Sequence, residues 1–241
     1  MACYPGHYCP AGASAPLPCV GGTYSNAIDL ARAADCTGAS PGYYAPTGSE
    51  QQIACPTGSI ALAVNATECD PCTAGSYQDA TAATACKTCE PGSYCPPGAS
   101  AALPCAAGSY SSATNLVSAS ECSPTEPGYY APTGSTMQIE CAAGTVAVTG
   151  GLPACETCVQ GKFVDTTGQT ACIECSICSR TQGEYSIAPC IPQMDNICAY
   201  CQNEQCAFGS YRIGNECGGY NCVACEPGFY CPGGIDRYAA P

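Results

Sequence analysis

The stretch Cys72-Thr-Ala-Gly-Ser-Tyr77, followed by Cys86-Lys-Thr-Cys89, contains the unit that decides the fold. The unit reads Cys-x-x-Gly-x and then an aromatic or β-branched residue. Glycine supplies the conformational freedom that a tight turn needs, and the residue after it favours a short strand. We expect its ring to cover an adjacent disulfide as a miniature core. The unit begins at ten cysteines, namely Cys3, Cys19, Cys55, Cys72, Cys89, Cys105, Cys141, Cys158, Cys206 and Cys225.

A larger repeat encloses this unit. Shifting the sequence by 86 residues places every cysteine from Cys3 to Cys89 on another cysteine, without a gap. The string Pro41–Ser49 recurs unchanged as Pro127–Ser135. We therefore predict that each module contacts only its neighbours along the chain. The predicted divisions are repeat 1 at 1–88, repeat 2 at 89–174, a divergent module at 175–224, and the start of a further repeat at 225–241.

Composition limits how such a chain can be stabilised. Leu, Ile, Val and Phe together make 28 of the 241 residues, which is too few for one large apolar core. The 26 cysteines are an even number, and bridges of about 2–4 kcal/mol each can replace a core. The predicted fold class is small disulfide-rich modules in an elongated tandem array, mostly irregular with short β-hairpins and minimal helix. A two-turn helix is expected only at 26–34, after the N-cap candidate Asn26.

The cysteine spacing suggests a local disulfide pairing but does not fix it. The simplest pairing joins Cys19 to Cys36, Cys55 to Cys69 and Cys72 to Cys86, and repeats as Cys105 to Cys122, Cys141 to Cys155 and Cys158 to Cys172. The alternative is a zinc ribbon at Cys69, Cys72, Cys86 and Cys89. Disulfides are favoured because isolated cysteines such as Cys19 make no sense as zinc ligands. A redox dithiol would need a βαβ context, which is absent.

Charge and residue types narrow the functional classes. Nineteen acidic residues against six basic ones argue against binding of nucleic acid or an anionic membrane. The sole histidine, His7, has no partner set, so we expect no catalysis, no metal and no cofactor. No apolar run is long enough to span a membrane. The dense cysteines indicate an oxidising, extracellular compartment. Because no apolar leader follows Met1, we expect a mature or partial segment of a longer precursor.

Two features suggest modification or binding. Asn65-Ala-Thr67 is an N-glycosylation sequon, and Gly151 replaces its asparagine in the second copy. The many Ser, Thr and Pro residues either carry O-glycans or serve turns. The string Pro41–Ser49 is either a tyrosine-rich binding surface or a conformationally required loop.

The pattern of Cys72–Tyr77, Cys86 and Cys89 resembles the ephrin-receptor-like cysteine-rich repeats. These are EGF-like modules of large extracellular proteins, including protist and algal surface proteins. The resemblance covers about 1–175 and again 225–232. The segment with Cys190, Asp195-Asn-Ile-Cys198 and Cys201 is similar to a tumour-necrosis-factor-receptor module. By analogy, such arrays also resemble the proteins of mastigonemes, the filaments on algal flagella.

Two functions are compatible with these resemblances. The first is a structural subunit of an extracellular filament, hair or coat, in which glycosylated copies self-associate head to tail. That hypothesis rests on the equivalence of the module starts at Cys3 and Cys225. The second is the ectodomain of a cell-surface receptor or adhesion protein that binds a protein ligand.

Overall fold

The computed structural model describes residues 3–179, 184–200, 210–213, 221–225, 229–230 and 238–239. Its elements are antiparallel two-stranded hairpins of consecutive strands, with two short 3₁₀ turns at Ala33–Asp35 and Ala119–Glu121. The strands are β1 His7–Tyr8, β2 Leu17–Pro18, β3 Thr23–Tyr24, β4 Thr37–Gly38, β5 Tyr43–Tyr44, β6 Ile53–Ala54, β7 Ser59–Ile60, β8 Asp70–Pro71, β9 Ser76–Tyr77, β10 Lys87–Thr88, β11 Ser93–Tyr94, β12 Leu103–Pro104, β13 Ser109–Tyr110, β14 Ser123–Pro124, β15 Tyr129–Tyr130, β16 Ile139–Glu140, β17 Thr145–Val146, β18 Glu156–Thr157, β19 Lys162–Phe163, β20 Ile173–Glu174, β21 Glu184–Ala188, β22 Ile197–Tyr200, β23 Ser210–Ile213, β24 Asn221–Ala224, β25 Phe229–Tyr230 and β26 Tyr238–Ala239. The fold class of small disulfide-rich hairpin modules with minimal helix is confirmed.

The glycine of the repeated unit makes a type II turn before the first strand of each hairpin from β1–β2 to β19–β20. In the hairpin β9–β10, Gly75 has φ +83° and the amide of Ser76 donates to the carbonyl of Thr73 at 3.1 Å. This turn type requires positive φ at its third residue, which glycine adopts without strain. A Cβ at Gly75 would also lie 2.6 Å from the carbonyl oxygen of Asn115. The turn glycine is therefore required both by its own backbone angle and by close packing.

That close packing joins hairpins that are not consecutive. Gly75 belongs to β9–β10, whereas Asn115 lies two hairpins further along the chain, in the loop of β13–β14. The same relation places Gly22 against Asn65 and Gly42 against Ala82. Contacts between hairpins thus reach the second neighbour along the chain, within one repeat or between adjacent repeats. Each hairpin is so small that the hairpins before and after it come into contact with each other.

Main-chain hydrogen bonds of one repeated pattern join consecutive hairpins. At the junction of β9–β10 with β11–β12, they run from Gly75 N to Cys95 O at 2.8 Å, from Gln78 N to Ala99 O at 3.1 Å and from Gly98 N to Cys72 O at 2.8 Å. A parallel bridge pairs Tyr77 with Ala99 at the same junction. The pattern recurs along residues 3–140 and again between β17–β18 and β19–β20. We call this pattern the ladder.

The core is made of small residues in two repeated positions. One is the residue that follows each second strand, and it is buried as Cys19, Ala39, Cys55, Cys72, Cys89, Cys105, Thr125, Cys141 and Cys158. The other is the third residue after the turn glycine in hairpins β3–β4 to β19–β20, and it is buried as Ser25, Ala45, Ala61, Gln78, Cys95, Ser111, Ala131, Ala147 and Val164. Tyr77 packs against the cluster of Cys89, Cys95 and Ala99. The ring therefore covers the disulfide of the following hairpin, as the sequence predicted in outline.

Disulfides close most of these hairpins locally. The bridges join Cys3–Cys9, Cys19–Cys36, Cys55–Cys69, Cys72–Cys86, Cys89–Cys95, Cys105–Cys122, Cys158–Cys172, Cys175–Cys190 and Cys178–Cys198. Cys141, Cys155 and Cys225 are disulfide-bonded as well. In a typical bridge, the cysteine before the turn meets a cysteine just before the second strand, as Cys55 meets Cys69.

Among the hairpins from β1–β2 to β19–β20, two lack a bridge. In β5–β6 and β15–β16, Ala39 and Thr125 stand where the other hairpins have the first cysteine. The position of the second cysteine holds Gln52 in one hairpin and Gln138 in the other. The Gln52 Oε1 accepts a hydrogen bond from Ser40 N at 2.8 Å, and Gln138 Oε1 accepts one from Glu126 N at 2.9 Å. A side-chain hydrogen bond thus occupies the place of the disulfide.

The helix expected at 26–34 is wrong. Asp29 has φ +61°, outside the helical region, and its amide donates to the carbonyl of Cys3. Leu30 forms a parallel bridge with Tyr8 in the preceding hairpin. Only the 3₁₀ turn Ala33–Asp35 remains. Contacts of the ladder override the local helix propensity of this alanine-rich segment.

The chain divides into two compact units. The first comprises Met1–Glu140 with Thr149–Cys155 and contains β1 to β16. The second comprises Cys141–Val148 with Glu156–Pro241. Its longest strand is β21, which pairs with β22 with a register shift between Ser186 and Ala188. Within the described ranges, no helix has the length and apolar character needed to cross a bilayer.

Candidate functional site

The first strands of the hairpins present a row of half-buried rings. We call the set in the first unit the aromatic row, which consists of Tyr8, Tyr24, Tyr44, Tyr77, Tyr94, Tyr110 and Tyr130. In four of these hairpins the residue paired across from the ring is an exposed aliphatic, as with Ile53 at 41% and Leu103 at 40%. Paired tyrosine and aliphatic side chains on a surface are typical of protein contacts. The aromatic row is therefore a candidate interaction surface of the first unit.

The string Pro41–Ser49 consists of two consecutive turns. Gly42 has φ +83° in the first, and Gly48 has φ +80° in the second. Between them, Tyr43 and Tyr44 form β5, and both rings are half-buried. The string therefore has a definite conformational role, which the loop interpretation anticipated. Its use as a binding surface stays a prediction.

The two copies of this tyrosine pair differ in one contact. Tyr43 lies across from Ala54, whereas Tyr129, its counterpart, lies across from Glu140. The Tyr129 hydroxyl donates to Glu140 Oε1 at 3.1 Å. That hydrogen bond to the carboxylate raises the pKa of Tyr129, since it stabilises the neutral phenol. The second copy therefore holds a phenol and a proton acceptor in direct contact at the surface.

Asn65 of the sequon is exposed and has φ +62°. Its amide donates to Ala39 O at 2.9 Å as part of the ladder. A Cβ at Gly38 would come within 2.1 Å of Asn65 Oδ1, so the side chain lies directly against that glycine. Gly151 holds the same left-handed position in the second copy, with φ +77°. Asparagine and glycine are the residues that this backbone position favours, and glycosylation of Asn65 stays a prediction.

The cysteines of the zinc-ribbon pattern do not gather into one site. Cys69 is bonded to Cys55, Cys72 to Cys86, and Cys89 to Cys95. Zinc binds thiolates, and these sulfurs are engaged in bridges. The zinc alternative is therefore wrong for this structure.

One close group of potential ligands lies in the second unit. The sulfurs of Cys175 and Cys190 and a carboxylate oxygen of Asp195 lie within 4.8 Å of one another. The two sulfurs form a disulfide, which removes them as thiolate ligands. Asp195 instead accepts hydrogen bonds from Ser176 N at 2.7 Å and Ser176 Oγ at 2.6 Å. These bonds hold the pKa of Asp195 below its usual value, and the carboxylate serves to fix the loop.

An open groove of about 610 Å³ adjoins this loop. Its lining includes Gly161, Glu174, Ser176, Ile177, Glu184 and Asn196. Ile177 is 91% exposed beside it. The groove is formed by residues of the second unit.

His7 is a turn residue. Its Nδ1 lies 3.1 Å from the carbonyl oxygen of Pro5, and its ring centroid lies 4.2 Å from that of Tyr4. These contacts position the imidazole against its own turn.

The sequence pattern that begins with a cysteine does not predict two of the hairpins. The units at Ala39 and Thr125 have the same turn and the same ladder as the others but begin without a cysteine. Both hairpins can be recognised from Pro-Gly-Tyr-Tyr, because it contains the Gly-x-Tyr part of the repeated unit. The units expected at Cys206 and beyond Cys225 lie largely outside the described residues.

Comparison with known proteins adds no family. A scan against protein-family models finds no match to this chain, and a search of curated proteins finds none either.

Proposed function

We propose that this protein is a structural subunit of an extracellular filament, hair or coat, without enzymatic activity. The observation that carries the proposal is the ladder, which joins hairpin to hairpin by one repeated set of main-chain hydrogen bonds. Because successive hairpins bond in the same way, length is gained by adding hairpins without a new kind of contact. This is the property that a fibrous building block requires.

The disulfides support an extracellular setting. Bridges of this density persist in oxidising compartments and are rare where cellular reductants act. Local closure, as in Cys55–Cys69 with a sequence separation of 14, lets each hairpin resist unfolding by itself. A durable polymer outside the cell benefits from that local resistance.

Copies of the chain would associate head to tail through the kind of contact that joins hairpins within it. A contact between two different surfaces of the same protein does not close on itself, so it propagates unless a rotation closes a ring. The aromatic row would supply a second, lateral contact between neighbouring filaments. Glycans at Asn65 would lie on the surface and help to set the spacing of such filaments.

Charge makes the assembly sensitive to salt. The formal net charge is −13, and Arg32, Lys87 and Lys162 are already paired with Asp35, Asp79 and Glu174. Like charges on neighbouring copies repel, and salt screens them over about 10 Å at 0.1 M. We therefore expect association to increase as the salt concentration is raised from about 0.01 M to 0.15 M.

Electron microscopy of the native material tests the proposal. We expect fibres whose axial repeat corresponds to one chain, and longer fibres at the higher salt concentration. Monodisperse, non-assembling particles at high protein concentration in both salts would contradict it.

A second candidate is a receptor or adhesion ectodomain. The groove beside Ser176, with the fully solvent-facing Ile177, is the observation that favours it. In this interpretation the groove would take a protein ligand, and the hairpins of the first unit would act as a stalk. Replacement of Ile177 by Asp would abolish adhesion to cells without affecting fibre assembly, whereas the filament proposal expects no adhesion to lose.

A further inference from the structure

Tyrosine is the main side chain that a one-electron oxidant can oxidise on the described surface. The chain has 16 tyrosines and no tryptophan. No free cysteine is found among the residues that the structure describes. Tryptophan and thiols are the side chains that compete with phenols for one-electron oxidation. A one-electron oxidant that meets the described surface therefore acts mainly on phenol rings.

Among these rings, Tyr129 has a proton acceptor in direct contact. Its hydroxyl donates to Glu140 Oε1 at 3.1 Å, and Glu140 is exposed. Loss of an electron makes a phenol hydroxyl strongly acidic, so a base in hydrogen-bond contact assists the oxidation by accepting the proton. A distance of 3.1 Å lies within the range in which a general base acts. The hydrogen bond thus favours loss of an electron and a proton together at Tyr129.

We propose that Tyr129 is the preferred site of one-electron oxidation in this protein, and that it forms dityrosine cross-links with a second copy when a haem peroxidase and hydrogen peroxide are supplied. The radical at Tyr129 goes beyond the proposed function and needs no assembly. The cross-link between copies rests on the proposed function, because it needs two chains held together.

The reaction balances in atoms and electrons. Each Tyr129 gives one electron to the oxidised peroxidase and its hydroxyl proton to Glu140, leaving a phenoxyl radical. Two radicals from two chains join through the ring carbons next to the oxygens, and each joined carbon then passes its hydrogen to the oxygen. The two electrons and two protons reduce one hydrogen peroxide to two waters.

The first copy of the repeat provides a matched control. Tyr43 occupies the same position of the same type of hairpin, is also half-buried, and lies across from Ala54 instead of a carboxylate. Both hairpins lack a disulfide and place their tyrosine directly after the turn glycine. The two sites therefore differ chiefly in the presence of the proton acceptor.

The test is labelling of the full chain, at low protein concentration, with biotin-tyramide, horseradish peroxidase and hydrogen peroxide. Peptide mass spectrometry then compares the label at the two tyrosines. We expect about a hundredfold more label at Tyr129 than at Tyr43, the lower end of the effect of a positioned base. Glu140→Gln should reduce the label at Tyr129 to the level of Tyr43, because an amide still accepts a hydrogen bond but does not take a proton. Ala54→Glu should raise the label at Tyr43.

Equal labelling of the two tyrosines, or labelling of Tyr129 that Glu140→Gln leaves unchanged, would overturn the proposal. A second measurement separates it from the proposed function. Fibres treated with peroxidase and peroxide should yield a cross-linked peptide that contains Tyr129 from two chains. Strong labelling of Tyr129 in a protein that forms no fibres would retain the oxidation site and reject the filament.

Discussion

The hairpins β5–β6 and β7–β8 are adjacent, and only the second has a disulfide. In β7–β8, Cys55 is bonded to Cys69 across the loop. In β5–β6, the same two positions hold Ala39 and Gln52, and Ser40 N donates to Gln52 Oε1. The turns are nevertheless alike, with φ +83° at Gly42 and +82° at Gly58. Both glycine amides also donate to the next hairpin, at 2.8 Å and 2.7 Å.

The difference shows that the bridge stabilises a hairpin whose form is determined by other contacts. The turn glycine and the ladder are common to both hairpins, whereas the disulfide is not. A bridge acts mainly by restricting the unfolded chain. We therefore expect changes at the turn to disrupt a hairpin more than loss or gain of its bridge.

The largest expected effect comes from Gly42→Ala in the hairpin without a bridge. A Cβ at this position would lie 2.1 Å from the carbonyl oxygen of Ala82, and alanine is also strained at φ +83°. We expect a loss of about 3 kcal/mol or more in local stability, measured by amide hydrogen exchange of β5 and β6.

Gly161→Ala, in a hairpin closed by Cys158–Cys172, gives the comparison for the packing contact alone. Gly161 has φ +87° at the equivalent turn, and a Cβ there would meet nothing within 4 Å among the described residues. Its hairpin should lose only about 1–2 kcal/mol, the cost of the backbone angle alone. Equal losses at the two positions would show that packing against the ladder contributes nothing.

Removing a bridge is expected to have the next largest effect. Cys55→Ala with Cys69→Ala should lower the stability of β7–β8 by about 2–4 kcal/mol without changing its register. Cys55→Ala with Cys69→Gln reproduces the arrangement of Ala39 and Gln52, so it should recover about 1 kcal/mol of that loss. Hydrogen exchange of Ser59 and Ile60 provides the measurement. If the glutamine variant is no more stable than the double-alanine variant, the proposed substitution of bridge by hydrogen bond is wrong.

Adding a bridge should have an effect of opposite sign. The Cα atoms of Cys55 and Cys69 are 5.7 Å apart, and positions 39 and 52 are their equivalents. Ala39→Cys with Gln52→Cys should therefore form a disulfide and stabilise β5–β6 by about 2–3 kcal/mol. The mass falls by two hydrogens, and non-reducing peptide mapping locates the bond. Thr125→Cys with Gln138→Cys should behave alike, and free thiols in both variants would show that the hairpins are not equivalent.

The smallest expected effect comes from Gln52→Ala. Loss of the hydrogen bond from Ser40 N should cost about 1 kcal/mol, read from hydrogen exchange in β5–β6. Gln51→Ala is the control, since Gln51 is exposed and its side chain makes no hydrogen bond among the described residues. A larger loss for the control than for Gln52→Ala would contradict the role assigned to Gln52.

The cysteine spacing predicted much of the fold. It located the turn glycines, the short strands after them and the covering of a disulfide by a ring such as Tyr77. These features follow from chemistry within one unit: a glycine that turns, an aromatic that extends, and a cysteine at either end. Local chemistry of this kind can be predicted without knowledge of the neighbouring hairpins.

The remaining features depend on contacts between hairpins, which spacing does not reveal. The sequence around Asp29 has helix propensity, but the bond from its amide to Cys3 holds it in a left-handed conformation. Cysteine spacing does not identify the hairpin at Ala39, because the buried Ala39 stands where the other hairpins have a cysteine. The contact of Tyr129 with Glu140 required the strand register. In each case the partner lies on another strand or another hairpin.

The most direct test of the central claim is amide hydrogen exchange of the unaltered, oxidised chain, resolved residue by residue by NMR. The account predicts that the amides of Gly42 and Ala45, which donate to Ala61 O and Ala66 O, are protected in the hairpin without a bridge. Their protection should be of the same order as that of Gly58 and Ala61 in the bridged neighbour. Exchange of Gly42 and Ala45 at the rate of an unfolded chain, beside protected Gly58 and Ala61, would show that the disulfide and not the turn and ladder forms the hairpin.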